Sequence, residues 1–392
     1  MTLGPDRAPV VVAARRTYLG TAGRALAMLP VEALAAPALT AVVDDARTAG
    51  VRSQIDDVVL GNCMGPGGNT ARVAALAAGL GERVPGVTVD RQCGSGLAAI
   101  LLAGQAVRAG AAAFALAGGV ESASTAPQRA YRSRGSGAAP LPYDRAAFAP
   151  PGHPDPEMGA AADALARARG VTRERQDAYA EASHAKALAA QASGRFDAET
   201  LEVGGLRRDE RARTLPRSVL ARMPAAFVPD GSVTAGNSCP VSDGAAVVGV
   251  VPEQVRRTTG IPGLRLVTGV VVGCDPALPG WGPVPAVENA LARAGVTLAD
   301  IAAIEIVEAF AAQVLAVTDA LGLDPLGTDA GRVCADGGAI ALGHPWGASG
   351  AVTVVRLFSR LVRAGAPAGT LGVATAAVGG GMGVAGIFEV VR

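Results

Sequence analysis

Lysine is almost missing from this chain: Lys186 is the only one, and arginine carries nearly all the remaining positive charge. That bias is compositional and is not read as function. Net charge of either sign is missing too, with 35 basic residues against 34 acidic. No global field therefore draws in nucleic acid or anionic lipid, and any bound anion must be met by local groups. The five cysteines (Cys63, Cys93, Cys239, Cys274, Cys334) are odd in number, widely spaced and without a CxxC pair. This argues for reduced thiols in a cytosolic protein and against a disulfide framework or a zinc site. The longest uncharged run, Ala364 to Phe388, is interrupted by glycines and Pro367, which suits packed strands rather than a membrane span. The opening stretch lacks the basic-then-apolar order of a signal peptide, because Arg15 and Arg16 follow a short apolar run. The expected location is the cytoplasm, with no membrane segment and no nucleic-acid partner.

What is present is a core-forming composition, 50% hydrophobic over 392 residues, enough for two or three domains. The chain also repeats. Arg47 to Asn62 (RTAGVRSQIDDVVLGN) and Ala292 to Glu308 (ARAGVTLADIAAIEIVE) each close a helical pattern on Ala-Gly-Val and then enter an apolar, β-rich run. Farther on, the segment from Ser95 (SGLAAILLAGQAVRAG) matches the one from Ser349 (SGAVTVVRLFSRLVRAG). Each is a helix ending in Val-Arg-Ala-Gly, followed by a strand and glycines. Helices alternating with strands imply βαβ crossovers and mainly parallel sheets in two related halves. The first half spans 1–120 and is completed by about 240–262. The second spans 263–392. Between them, 121–239 is an insertion, part Pro- and Gly-rich loop and part Ala-rich helix from Met158 to Ala192, suited to ligand contacts.

The repeat directs attention to two helix starts. In VDRQCGSGLAAI, Cys93 sits at a strand-to-helix turn bent by Gly94 and Gly96. A thiol at a helix N-terminus is expected to have a lowered pKa and to act as a nucleophile, against the plainer role of a small buried hydrophobe. In GGAIALGHPWGASG, His344 occupies the corresponding turn of the second half. Of the other two histidines, His184 reads as a surface or packing residue, and His153 has no partner nearby. A cysteine and a histidine facing each other across a pseudo-twofold axis would make a nucleophile and its base. Two other segments remain open at this level. Phe227 to Ala246 (FVPDGSVTAGNSCPVSDGAA) is either a polar turn cluster or a surface for a flexible polar ligand. ATAAVGGGMG, Ala374 to Gly383, is a strand emptying into glycines with no acid or base beside it.

In order along the chain, DRQCGSGL, PEMGAAADALA, FVPDGSVTAGNSCPVSDGAA, VEAFAAQ, GGAIALGHPWGASG and VGGGMG resemble the thiolase family. The resemblance implies an α/β fold of two βαβαβαββ halves in five αβαβα layers, with an inserted loop domain that holds coenzyme A. It implies an acyl-CoA acyltransferase with an acyl-cysteine intermediate, no covalently bound cofactor, and a homodimer or homotetramer formed through the AGGVESAS region. Cys93 matches the acylated nucleophile, His344 its activating histidine, and Gly380 a glycine whose amide joins that of Cys93 in an oxyanion hole. Met158 and Phe310 match residues of the pantetheine and thioester channel. Phe227 and Cys239 match a CoA-contacting aromatic and a pantetheine-contacting serine.

Two departures bear on the reaction. Ala377 stands where the family has the second cysteine, which moves protons at C2 of the substrate. Val307 stands where an asparagine holds the water of the first oxyanion hole. Loading of Cys93 needs neither side chain to form the thioester, whereas condensation needs a base at C2. The expected activity is acyl transfer through Cys93 to a decarboxylating malonyl-type donor or to an amine or alcohol. Two alternatives stand beside it: a conventional thiolase in which Cys239, Cys274 or Cys334 supplies the base, and a non-catalytic CoA-binding subunit working with a partner protein. Leu141, Tyr143 and Phe148 are candidates for lining an acyl pocket or for packing the insertion.

Overall fold

The computed structural model describes residues 5–133 and 139–392; residues 1–4 of the opening stretch and 134–138 of the insertion lie outside the described residues. Five strands build the first half: Pro9–Thr17 (β1), Asp57–Gly61 (β2), Val87–Val89 (β3), Ala115–Ser122 (β4) and Ser242–Pro252 (β5). The second half has Gly263–Gly273 (β6), Ile301–Ile306 (β7), Leu371–Val378 (β8) and Met382–Val391 (β9). Their order in space is β7-β8-β9-β6-β1-β5-β4-β2-β3. The two half-sheets meet where Val10 and Val11 of β1 pair with Arg265 and Leu264 of β6. The counterpart of β3 is reduced to one bridge between Val333 and Ile304.

The sheets are mixed, which corrects the expectation of mainly parallel pairing. β2 is parallel to β3 and β4, and β7 is parallel to β8. The β4–β5, β8–β9, β1–β5 and β6–β9 pairs are antiparallel. Each half thus closes its crossovers with one antiparallel return strand.

Three hydrophobic clusters fill the spaces between five layers, the central one lying on both faces of the middle helices. Helix Val31–Thr48 (α1) covers the outer face of the first half through Leu34, Leu39 and Val42. Helices Ser95–Ala109 (α2) and Trp346–Leu357 (α7) fill the middle layer through Leu97, Ile100, Val354 and Val355. Helices Pro283–Ala294 (α5) and Ala311–Ala320 (α6) cover the outer face of the second half through Val287, Val314 and Leu315. The insertion contributes Met158–Arg169 (α3) and Arg173–Ala192 (α4), two helices divided at Gly170 where the sequence suggested one continuous pattern. No helix among the described residues is long and apolar enough to cross a membrane.

The insertion is anchored to the core by charge. Arg16 of β1 donates to Glu199 and Asp209 at 2.8 Å each, with all three side chains fully buried. Arg356 also pairs with Glu199, and both guanidiniums lie over the Phe196 ring. His184 on α4 is buried, not on the surface, and neither of its ring nitrogens has a hydrogen-bond partner.

The repeated Ala-Gly-Val and Ala-Gly motifs have a local cause. After α1, Val51 N donates to Ala46 O and Gly50 N to Arg47 O, the paired bonds that end a helix through a left-handed glycine. Val296 to Leu291 and Gly295 to Ala292 repeat the pattern after α5, with Gly295 at φ 68°. A Cβ on Gly295 would meet nothing within 4 Å, so its conformation alone requires glycine. Gly295→Ala should therefore destabilise the protein by about 1 kcal/mol in denaturant unfolding. Gly331→Ala, at an open position without positive φ, should change little. Equal effects of the two substitutions would contradict this account.

Candidate active site

Helix α7 (Trp346–Leu357) and α2 begin side by side, and glycine permits it. A Cβ on Gly96 would lie 2.7 Å from Ala351 N, and one on Gly350 would lie 2.6 Å from Leu97 N. These reciprocal contacts relate Ser95-Gly96-Leu97 to Ser349-Gly350-Ala351 across the pseudo-twofold axis. Gly61 and Gly119 make the same kind of close approach to the Gly347 carbonyl. The two turns before the helices are consequently pressed together. Cys93 Sγ and His344 Nε2 are 3.3 Å apart.

The serines at matching positions brace the two turns. Ser95 Oγ accepts from Arg91 N at 2.7 Å and donates to Gln92 O at 2.7 Å. Ser349 Oγ donates to Pro345 O at 3.0 Å and lies 2.7 Å from His344 Nδ1. A hydroxyl has one proton, so Ser349, having given it to Pro345, accepts from Nδ1–H. This assigns the tautomer in which Nε2 presents its lone pair to the Cys93 thiol. Ser242 Oγ accepts from His344 N at 3.0 Å and fixes the backbone of the turn.

Glu121 ties the halves together beneath this pair. Its buried carboxylate accepts from Cys63 N, Met64 N and Asn62 Nδ2 of the first half and from Gly347 N at the start of α7. Burial raises its pKa, and the backbone amides oppose that rise. Ser349, Ser242 and Glu121 were not picked out from sequence. Ser349 and Ser242 look like generic small polar residues, and Glu121 lies in the stretch read for assembly. Only the repeat alignment of Ser95 with Ser349 held a clue.

Burial governs the resting protonation state. It pushes the Cys93 thiol up to about 12, with the residue's own amide opposing and the Glu121 and Asp90 charges adding. Burial likewise lowers His344 to about 4. The expectation of a lowered thiol pKa at the helix start does not hold, because desolvation outweighs the helix dipole and local amides. The resting pair is thiol and neutral imidazole.

The glycine run follows β8. Gly380 and Gly381 have φ of 83° and 78°, and a Cβ on Gly379 would sit 2.7 Å from the Phe148 ring. Phe148 thus covers this turn, its backbone held by Asp155. Leu141 is two-thirds exposed and Tyr143 stacks on Tyr131, in a hairpin of their own. Ala377 is partly exposed between buried Ala376 and Val378. Val307 is buried and, with Gly343, Ser349 and Arg356, lines a cavity of about 20 Å³ behind His344, room for one water.

The remaining sequence candidates form one wall. Phe310 pairs edge-on with Phe227, ring centroids 5.9 Å apart, and Phe227 packs on Gly159, next to Met158. Cys239 N donates to Ala309 O at 3.0 Å, and Ala311 N to Asn237 O at 2.9 Å. Of the three cysteines weighed as substitute bases, Cys334 is held within the core by the Ile306 backbone. Cys274 supports the glycine turn only through its amide, which donates to Gly381 O. Cys239 lies close enough for its thiol and that of Cys93 to interact electrostatically. So does Cys63, overlooked in sequence, whose Sγ donates to Gln92 O at 3.2 Å. Burial raises the pKa of both thiols. Among the described residues no three His, Cys, Asp or Glu side chains converge as a metal-binding set.

A five-layer α/β fold with a cysteine and a histidine at paired helix starts defines an acyl-transfer class of enzyme. The thiolase N-terminal domain model matches residues 9–254, and the thiolase C-terminal domain model matches 262–390. A Staphylococcus haemolyticus protein provisionally named acetyl-CoA C-acetyltransferase VraB is 41% identical over 387 residues, covering 97% of this chain and 98% of its own. The Staphylococcus aureus protein of the same name is also 41% identical, with the same coverage. The crystal structure of the Bacillus anthracis acetyl-CoA acetyltransferase superposes with a TM-score of 0.89 at 36% identity, covering 98% of this chain and 99% of that one. The chain belongs to the thiolase family and is an acyltransferase.

A neutral thiol–imidazole pair has a distinct pH signature. His344 is active when unprotonated, and with its pKa near 4 it loses that form only below about pH 4. Because the thiolate is the nucleophile and the Cys93 thiol sits at about 12, Cys93 alkylation by iodoacetamide should be slow at pH 7 and rise about tenfold per pH unit up to pH 9, without thiolate absorbance at pH 7. A thiolate titrating below pH 7 would contradict the assignment.

Proposed function

We propose that the protein transfers acyl groups from coenzyme A thioesters through an acyl-Cys93 intermediate in two half-reactions. The observation that carries this is the Cys93–His344 contact, oriented by Ser349, beside a glycine turn that lacks a proton-transfer side chain. In the first half-reaction, His344 Nε2 takes the thiol proton as the Cys93 sulfur attacks the thioester carbonyl. The Cys93 and Gly380 amides stabilise the oxyanion. Collapse expels the CoA thiolate, which recovers the proton from His344. Met158, Phe227, Cys239 and Phe310 form the wall along which the pantetheine arm lies.

The second half-reaction is where Ala377 matters. Condensation on an unactivated C2 requires a base there, and losing a positioned base lowers rates about 10²- to 10⁴-fold. A malonyl-type donor avoids the need: loss of carbon dioxide leaves the enolate, which attacks the acyl-Cys93 carbonyl and releases the Cys93 sulfur. An amine or alcohol acceptor avoids it as well.

A second reading, a conventional thiolase with a substitute base, draws on the Cys239 and Cys63 thiols beside Cys93 and on the names of the relatives. Burial holds both groups as thiols near neutral pH, so neither stands ready as the thiolate a base would have to be. Thiolysis of acetoacetyl-CoA distinguishes the readings, since the second requires it at ordinary enzyme concentration.

Intact mass after incubation with acetyl-CoA and malonyl-CoA should show an adduct that disappears in Cys93→Ala. Absence of any adduct in a protein that still binds coenzyme A would favour a non-catalytic subunit. Ala377→Cys combined with Val307→Asn should raise acetoacetyl-CoA thiolysis by about 10²-fold or more. Val307 borders the small cavity that Ser349, Thr353 and Arg356 also line, which offers polar partners to an amide there. A folded double variant without gain would refute this explanation of the defect.

A further inference from the structure

One buried donor close behind the site has no partner among the described residues. Arg356 of α7 gives its two terminal nitrogens to Glu199 and Asp336, while its Nε–H, also buried, is paired with nothing. A buried N–H left in this way is costly unless water satisfies it. Arg356 borders the cavity of about 20 Å³ behind His344, together with Glu305, Val307, Ser349 and Thr353. That volume holds one water, and a buried water needs about two to four polar partners.

Helix α7 supplies them in a single stripe. Ser349, Thr353 and Arg356 follow one another at helical spacing and so share one face. Each hydroxyl has already committed its proton: Ser349 Oγ donates to Pro345 O at 3.0 Å, and Thr353 Oγ1 to Gly350 O at 2.7 Å. Both therefore offer only lone pairs to the cavity, where Arg356 Nε offers a proton. The carboxylate of Glu305, the remaining polar group there, is held by Arg360 at 2.6 Å.

We propose that a water in this cavity accepts from Arg356 Nε–H and donates to Ser349 Oγ and Thr353 Oγ1, making Arg356 a positioning residue for His344. The bond from the water completes the Ser349 hydroxyl, which then donates once and accepts twice. Ser349 is thereby held in the rotamer that accepts from His344 Nδ1–H at 2.7 Å, with Nε2 aimed at Cys93 Sγ 3.3 Å away. Glu199 belongs to the insertion, so the ion pairs that fasten the insertion to the core also orient the imidazole. The catalytic importance of this link rests on the reading that His344 takes the Cys93 proton.

A high-resolution crystal structure should show a water within hydrogen-bonding distance of Arg356 Nε, Ser349 Oγ and Thr353 Oγ1; a dry cavity overturns the proposal whatever the acylation chemistry. Its role is read at Thr353, where substitution leaves the ion pairs intact. Thr353→Val keeps the shape and removes the hydroxyl, whereas Thr353→Ser keeps the hydroxyl and removes a methyl group. The single-turnover rate of Cys93 acylation at saturating acetyl-CoA, followed by intact mass, should fall about 3- to 10-fold in Thr353→Val, with acetyl-CoA affinity unchanged. Thr353→Ser should retain the wild-type rate. Arg356→Lys keeps a cation between Glu199 and Asp336 but has no donor at the Nε position, and should lower the rate about 10- to 100-fold. If Arg356→Lys does not fold, the Thr353 pair decides alone. A greater loss in Thr353→Ser than in Thr353→Val marks a packing role and refutes the proposal, as does an unchanged rate in Thr353→Val. If no donor acylates the wild type, the acylation reading fails by itself, and the presence or absence of the water still upholds or refutes the link.

Discussion

Everything at the site depends on two helix starts meeting backbone to backbone. Gly96 against Ala351 and Gly350 against Leu97 leave no space for a Cβ, so α2 and α7 approach more closely than side-chain packing would allow. That approach sets the 3.3 Å separation of Cys93 and His344, residues 251 positions apart in the chain. Glu121 then secures it by accepting from both halves at once, with its charge at the N-terminus of α7. The pseudo-symmetry is thus more than a shared architecture. The same Ser-Gly pair braces one turn around Cys93 and the other around His344.

Close packing also determines the chemistry available. Desolvation disfavours thiolate and imidazolium alike and favours the neutral pair. In the proposed reaction, proton transfer is coupled to attack on the carbonyl, where charge develops next to backbone amides. The glycine turn after β8 serves two ends in this arrangement. Its positive φ values and its cover by Phe148 require glycine for geometry alone, independent of the side chain at Ala377.

The insertion shows how buried charge fastens one part of the chain to another. Arg16, Glu199, Asp209 and Arg356 are paired within the core and join the insertion to β1. Arg24, Arg211 and Arg213, a few residues farther along the same segments, are unpaired among the described residues. Arg16 and Arg356 are buried and need carboxylates, whereas Arg24 and Arg213 are exposed to solvent.

The two-half fold was legible in sequence because its signals are local: Ala-Gly-Val and Val-Arg-Ala-Gly mark left-handed helix ends, and apolar runs mark strands. The cysteine and histidine turns were legible for the same reason, as glycine-flanked breaks at corresponding points of a repeat. The mixed sheet was not, since strand direction depends on where long crossovers return. Nor were Ser349 and Glu121, whose importance lies in what they touch, or the thiol pKa, which burial reverses from the local expectation. By itself the sequence determined the repeat, the helix ends and the chemical types at the two turns, because these follow from backbone conformation and composition over a few residues. The tertiary structure alone decided which groups meet, how dry their surroundings are and which cations lack a partner, because distance, desolvation and charge balance arise only when remote segments pack.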